Sequence, residues 1–215
     1  MRIALPKGRL WPQASALLKA SGIDLTFLEG GRDYSPLSAD PRVRAKVVKT
    51  RAIPQLVALG NFDAGFCGLD LVREAGYEEV VPFADLGLNG VQIVVAAPRS
   101  SAWILENPPK RPIVIATEYL RLADEWAMRN NLAHITIQTW GSTEGYAPED
   151  ADLVFDCVET GKTLEANGLV ILEKLFSSTT YFVVNRSVLD SPTGGAELRY
   201  FSEKFLKSAK EIAHA

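Results

Sequence analysis

The sequence predicts an α/β protein folded into two lobes, and three observations support that expectation. Apolar runs of strand length alternate with stretches of helical period along nearly the whole chain, which is the rhythm of βαβ units. That rhythm breaks in mid-chain at the polar residues 98–101 and the proline-rich residues 107–112, where few packed contacts are expected. A late apolar run, residues 180–184, is placed to return the chain to the first lobe. Two crossings make a discontinuous lobe of residues 1–92 and 177–215 and an inserted lobe of residues 93–176.

In the first lobe, residues 2–5 read as a short strand. Pro6, Lys7, Gly8 and Arg9 make a basic turn ahead of the helical spacing of Leu10, Ala14, Leu17 and Leu18, which Gly22 stops. Lys7 and Arg9 are either two solvated cations on an ordinary turn or an anion site at the carboxyl end of a strand, where open α/β sheets place ligands. Residues 26–41 lack periodicity and read as irregular. A strand pattern resumes over 43–48, and 51–59 is a short helix with Pro54 in its first turn and Gly60 closing it. Residues 63–68 form a buried strand that runs into Gly68 and Asp70, then a helix stopped by Gly76. Gly65, Gly68 and Asp70 suit a tight turn that lets a ligand approach the backbone; equally, Asp70 suits a helix cap and Cys67 a small core residue. Residues 80–83 and 92–97 read as two strands joined by a loop at 85–90.

The second lobe repeats the pattern. Residues 113–116 are a strand, Thr117 suits an N-cap, and 120–130 is a helix with Leu122, Ala123 and Trp126 facing inward. Residues 135–138 are the next strand, a polar turn follows at Gly141, Ser142, Thr143 and Glu144, and Ala147 starts a short helix. Residues 169–175 and 180–184 are two further strands. Residues 196–213 close the chain as an amphipathic helix with Leu198, Phe201, Phe205, Leu206, Ala209 and Ile212 on one face, for packing on the first lobe or for a dimer contact.

Composition narrows the function classes. At 215 residues and 47% hydrophobic, the chain can bury a sizeable core. A net charge of −3 with scattered Lys and Arg argues against nucleic acid as a partner. No apolar run reaches the roughly 20 residues of a membrane span, and Pro6 and Lys7 interrupt any signal peptide, so a soluble cytoplasmic protein is expected. Two isolated cysteines, Cys67 and Cys157, and two isolated histidines, His134 and His214, supply too few ligands for a zinc site and no partner for a Ser/His/Asp triad.

Chemistry concentrates in residues 151–169. Leu153, Val154 and Phe155 suit a buried strand that ends at Asp156. Glu159, Thr160, Gly161, Lys162, Thr163 and Leu164 then turn into a helix, so that N–H groups, hydroxyls and the positive helix end converge on one phosphate. Asp156 is then a partner for sugar hydroxyls. The plainer reading is a capped helix, with the threonines satisfying orphan N–H groups.

Five ordered motifs decide between these readings. ALPKGRL near the N-terminus, DAGFCGLD ending at Asp70, IATEYLRLA from Ile115, GSTEGYAP from Gly141 and DLVFDCVETGKTLEANGL from Asp152 together resemble the ATP phosphoribosyltransferase family, over residues 2–185. The resemblance implies a two-lobed, periplasmic-binding-protein-like (type II) fold with its active site in the cleft. It implies transfer of phosphoribosyl from phosphoribosyl pyrophosphate to N1 of the adenine of ATP, with Mg²⁺, as the first step of histidine biosynthesis. At 215 residues the chain is expected to lack the C-terminal regulatory domain of the long form. It resembles the short form, which implies a homo-oligomer, a dimer, joined by a regulatory subunit like histidyl-tRNA synthetase.

The resemblance implies the 5′-phosphate on residues 159–164, ribose on Asp156, and pyrophosphate with Mg²⁺ on Lys7 and Arg9. Arg51, Gly68, Asp70 and Glu144 are candidates for ATP, and no dedicated metal ligands are expected. The chain departs from the family pattern at Ala52, where an acid is usual, and at Leu120 and Arg121, where Pro-Asn is usual. A non-catalytic anion sensor on the same fold and a phosphoribosyltransferase for another base are the competing readings.

Overall fold

The computed structural model describes residues 1–27 and 34–213; residues 28–33, within the stretch expected to be irregular, and His214 lie outside the described residues. The chain forms two compact units, one of residues 1–90 and 179–215 and one of residues 91–178.

The first unit opens with strand β1 (Arg2–Lys7) and helix α1 (Trp11–Ala20), whose first turn contains Pro12, where a missing N–H costs nothing. A small hairpin, β2 (Leu25–Thr26) with β3 (Leu37–Ser38), precedes β4 (Arg44–Lys49). A 3₁₀ turn, Thr50–Ala52, leads into α2 (Ile53–Ala58), so the helix expected at 51–59 is split and shorter. Strand β5 (Ala64–Gly68) follows, then α3 (Leu69–Ala75), which ends at Gly76 in the left-handed conformation (φ 66°). Helix α3 starts two residues before Leu71, with Gly68 at its N-cap. Asp70 therefore sits inside the first turn and does not cap it, and it is buried, at 7% exposure. Gly65 is explained by packing: a Cβ there would lie 2.6 Å from Ile53 Cγ2, so its absence lets α2 close onto β5. That replaces the ligand role considered for it.

Strand β6 (Val80–Pro98) is continuous, and the loop expected at 85–90 does not exist. Ala84, Leu86 and Leu88 are buried with exposed neighbours at 85 and 87, which is strand period. Gly87 (φ 64°) and Asn89 (φ 52°) bend the strand without ending it, so turn-forming residues here mark local distortion rather than a loop.

In the second unit come β7 (Ile113–Thr117), α4 (Leu120–Arg129), β8 (His134–Gln138), β9 (Leu153–Val158) and α5 (Lys162–Ala166). Its strand order is β6-β9-β7-β8, with β9 antiparallel to β6 and β7 parallel to both β9 and β8. The N-cap of α4 is Tyr119, not Thr117, whose hydroxyl instead accepts the Tyr119 N–H at 2.7 Å. No helix starts at Ala147; a 3₁₀ turn, Thr143–Tyr146, stands in its place. Phe155 packs between Tyr119 and Trp126, each ring 6.4 Å away, and Trp126 Nε1 donates to Glu173 at 2.8 Å.

Strand β10 (Leu169–Asn185) is again one element where two were expected, because its polar residues 177–179 keep the extended backbone. Its last residues pair antiparallel with β5, completing the order β4-β1-β5-β10 in the first unit. Helices α6 (Arg186–Asp190) and α7 (Pro192–Ala213) follow, the first capped by the Asn185 side chain. Leu198, Phe201, Phe205 and Ala209 of α7 are buried against Phe66 and Phe182, so this face is used within the unit.

Candidate active site

Parallel β7, β8 and β9 bring their carboxyl ends to one edge of the second unit, the place where α/β sheets bind ligands. Asp156 is there, but within β9 and not at its end: it still pairs with Val94 of β6, while the pairing with β7 stops one residue earlier, at Thr117 with Phe155. One side of the strand is closed and the other opens at Asp156. Its Oδ1 accepts the Cys157 N–H at 2.7 Å, and the buried Thr143 hydroxyl also bonds the carboxyl. Thr143 is in turn 2.8 Å from the Thr139 hydroxyl.

Burial pushes Asp156 up to about pH 6, against the two hydrogen bonds that lower it, and the charges of Glu118 and Glu144 add to the rise. Asp152, four residues earlier and immediately before β9, behaves oppositely. It forms a bidentate pair with Arg111 at 2.6 and 2.7 Å and accepts the Val114 N–H, and the Arg111 bond holds it below the usual carboxylate range. Asp152 ties β9 to β7; Asp156 is left raised at the edge where a ligand would arrive.

The turn after β9 exposes Glu159, Thr160, Lys162 and Thr163 and buries only Leu164, which anchors it among Val94, Ala96, Val154 and Leu169. Gly161 has φ 76°, a conformation that costs a side chain of any size. Thr160 Oγ1 lies 3.4 Å from the Lys162 N–H. Helix α5 has only five residues, so its macrodipole is small, and what the turn offers a ligand is its backbone N–H groups, hydroxyls and Lys162.

The first unit has an edge of the same construction. Lys7 ends β1 opposite Lys49 of β4, and Gly8 (φ 84°) turns the chain to Arg9; Lys7, Arg9 and Lys49 are exposed. The Thr50 hydroxyl donates to the Lys7 carbonyl at 2.9 Å, which places Arg51 beside the same edge. Carrying the β1–β5 register forward from Ala4 with Gly65 sets Gly68 level with Lys7, and Asp70 follows. The candidates thus divide by unit: Lys7, Arg9, Arg51, Gly68 and Asp70 in one, and Glu144, Asp156 and residues 159–164 in the other. Among the described residues, no three His, Cys, Asp or Glu side chains converge as a metal site, and no helix is long and apolar enough to cross a membrane.

Comparison with known proteins now bears on what these edges are for. Residues 49–205 match the family model for ATP phosphoribosyltransferase. An ATP phosphoribosyltransferase from Thermosynechococcus vestitus is 32% identical over 86% of this chain and 89% of its own length. The chain belongs to the ATP phosphoribosyltransferase family. It is thus a pentosyltransferase, not an anion sensor. A relative of that name from Chlorobium phaeovibrioides is 31% identical over 89% of this chain, which spans 66% of that protein's length. Among solved structures, the ATP phosphoribosyl transferase (HisG:HisZ) complex from Thermotoga maritima contains a chain that superposes with a TM-score of 0.84 at 25% identity, covering 98% of this chain and 99% of that one.

The stretch that matches the ATP phosphoribosyltransferase family contains all of the second unit's edge, including two residues that sequence reasoning missed. Thr143 was read only as part of a polar turn, and Glu118 was not singled out. The available signal was register: once β7 and β9 are paired in parallel, the residue after Thr117 falls beside the residue after Phe155, which sets Glu118 against Asp156.

Proposed function

We propose that the chain transfers phosphoribosyl from phosphoribosyl pyrophosphate to N1 of the adenine ring of ATP, releasing pyrophosphate, in the first step of histidine biosynthesis. The observation that carries this reading is that the family match spans the whole second-unit edge, in which the half-buried Asp156 precedes the left-handed turn at Gly161. The bond between C1 and the pyrophosphate oxygen breaks, its electron pair leaves with the pyrophosphate, and the N1 lone pair forms the new C1–N1 bond.

The 5′-phosphate lies on residues 159–164, and Asp156 takes the ribose hydroxyls and favours the positive charge that develops on the sugar. Lys7 and Arg9 receive the departing pyrophosphate, with Mg²⁺ arriving on the substrate's phosphates as part of the substrate. Arg51, Gly68, Asp70 and Glu144 are assigned to ATP in this reading. The adenine nitrogen needs no strong base, so alignment and charge supply most of the catalysis. The two units are read as the lobes of a type II periplasmic-binding-protein-like fold, with boundaries two residues from the 92/93 and 176/177 expected, and with the site in the cleft. Cytoplasmic location, a homodimer and a regulatory subunit resembling histidyl-tRNA synthetase complete the reading; the HisG:HisZ complex from Thermotoga maritima supports a second kind of subunit.

The test is incubation of the purified chain with ATP, phosphoribosyl pyrophosphate and Mg²⁺, with and without that subunit, with products identified by mass spectrometry. Phosphoribosyl-ATP formed weakly alone and strongly with the subunit is expected. Absence of product in both arms overturns the activity, and full, histidine-inhibited activity from the chain alone overturns the partner.

A further inference from the structure

Lys7 is the last residue of β1, and its exposed four-carbon side chain has many rotamers to lose before it can meet an anion. In the structure its Nζ lies 5.2 Å from the centre of the Tyr34 ring. Tyr34 is itself held: its carbonyl accepts the Val47 N–H at 2.7 Å, and Val47 lies on β4 two residues before Lys49, the register partner of Lys7. The ring is 49% exposed, so water and solutes reach the ammonium beside it.

The chemistry of the contact matters. A carboxylate would orient the ammonium but would also neutralise it and compete with an incoming phosphate. An aromatic face attracts the cation through its quadrupole and leaves the full charge in place. Among the described residues, no carboxylate pairs with Lys7.

We propose that Tyr34 is a positioning residue for Lys7, its ring holding the ammonium ready for the pyrophosphate group at the carboxyl edge of the first unit. The proposal rests on the reading of Lys7 as a pyrophosphate ligand. Tyr34 lies outside the five motifs and outside the span of the family match, so neither assigns it a role.

The test is calorimetric titration of magnesium pyrophosphate into the full-length chain, comparing wild type with Lys7→Ala, Tyr34→Ala, Tyr34→Phe and the Lys7→Ala/Tyr34→Ala double variant. Binding is expected to weaken about tenfold in Lys7→Ala and about threefold in Tyr34→Ala, and to return to the wild-type value in Tyr34→Phe, which keeps the ring. The double variant should bind no more weakly than Lys7→Ala, because the ring acts only through the ammonium. Upfield ring-current shifts of the Lys7 side-chain methylenes, present in wild type and Tyr34→Phe and lost in Tyr34→Ala, check the contact independently of binding. If Lys7→Ala binds as wild type does, the pyrophosphate role of Lys7 falls and this proposal with it. If Lys7→Ala weakens binding while Tyr34→Ala does not, or the two effects add in full, or Tyr34→Phe behaves like Tyr34→Ala, the Lys7 reading stands and Tyr34 loses its role.

Discussion

In the first unit, parallel strands deliver Lys7 and Lys49 to a carboxyl edge where Arg9 and Arg51 follow; in the second, the same construction delivers Glu118 and Asp156, with Glu144 beside them. The two edges share a topology and differ in charge and in depth. Lys7, Arg9 and Lys49 of the first are exposed, where holding a charge costs little, whereas Asp156 is half-buried and its ionisation is opposed. A strongly shifted group at a strand's carboxyl edge is a mark of function, and its cost falls where the ribose is expected to bind. A single edge rich in both signs would pair its charges internally, as Asp152 and Arg111 do, and leave fewer for a substrate.

The contrast is tested most severely at Asp156. Asp156→Asn is expected to lower turnover by about a hundredfold or more, on the scale of lost transition-state electrostatics, in the assay that follows phosphoribosyl-ATP. The same change should make the unliganded fold more stable at neutral pH. An acid raised from about 3.9 unfolded to about 6 folded contributes its stability fully below pH 4, and about 3 kcal/mol is lost as pH rises through 6. Urea unfolding should therefore show Asp156→Asn above the parent near pH 8 and level with it near pH 4. A variant as active as the parent would end the proposed role.

A second change separates packing from chemistry. Gly65→Ala forces a methyl against Ile53 and the β1 backbone, and denaturation should show a loss of about 1–3 kcal/mol. Because Gly65 serves α2 and not a ligand, the KM values of the surviving enzyme should stay at wild type. Gly161→Ala should do the reverse. At φ 76° it costs about 1–2 kcal/mol, felt locally in the turn, and KM for phosphoribosyl pyrophosphate should rise about tenfold with kcat changed less. An unchanged KM would detach the turn from the phosphate.

The smallest expected effect is at Glu118. Removing its charge in Glu118→Gln should let Asp156 ionise more readily and move the acid limb of the kcat/KM profile downward by a few tenths of a pH unit, about the effect of one screened neighbour. A limb that does not move would leave Asp156's shift to burial and Glu144.

Much of this was legible along the chain. Helix α4 and the apolar face of α7 follow from period, and the Gly76 stop from its left-handed turn. What misled was punctuation. Gly87 and Asn89 belong to a continuous strand, because neighbouring strands can hold an extended backbone through residues that favour turns in isolation, and Ala147-Pro148 opens no helix but follows the 3₁₀ turn. Asp156 stands within β9 and not at the strand end the sequence suggests, since a strand paired on one side only has no sequence signature.

The sequence by itself determined the alternation of strands and helices, the family, and the turn that follows β9, because these depend on local period, short motifs and single φ angles. Tertiary structure alone decided that Asp70 is buried and not a cap, that Gly65 serves packing, that Asp152 is structural while Asp156 is raised, and that Glu118, Thr143 and Tyr34 stand beside the candidate residues. Each of those depends on which strand lies next to which, and register is a pairwise property that no single stretch of chain contains.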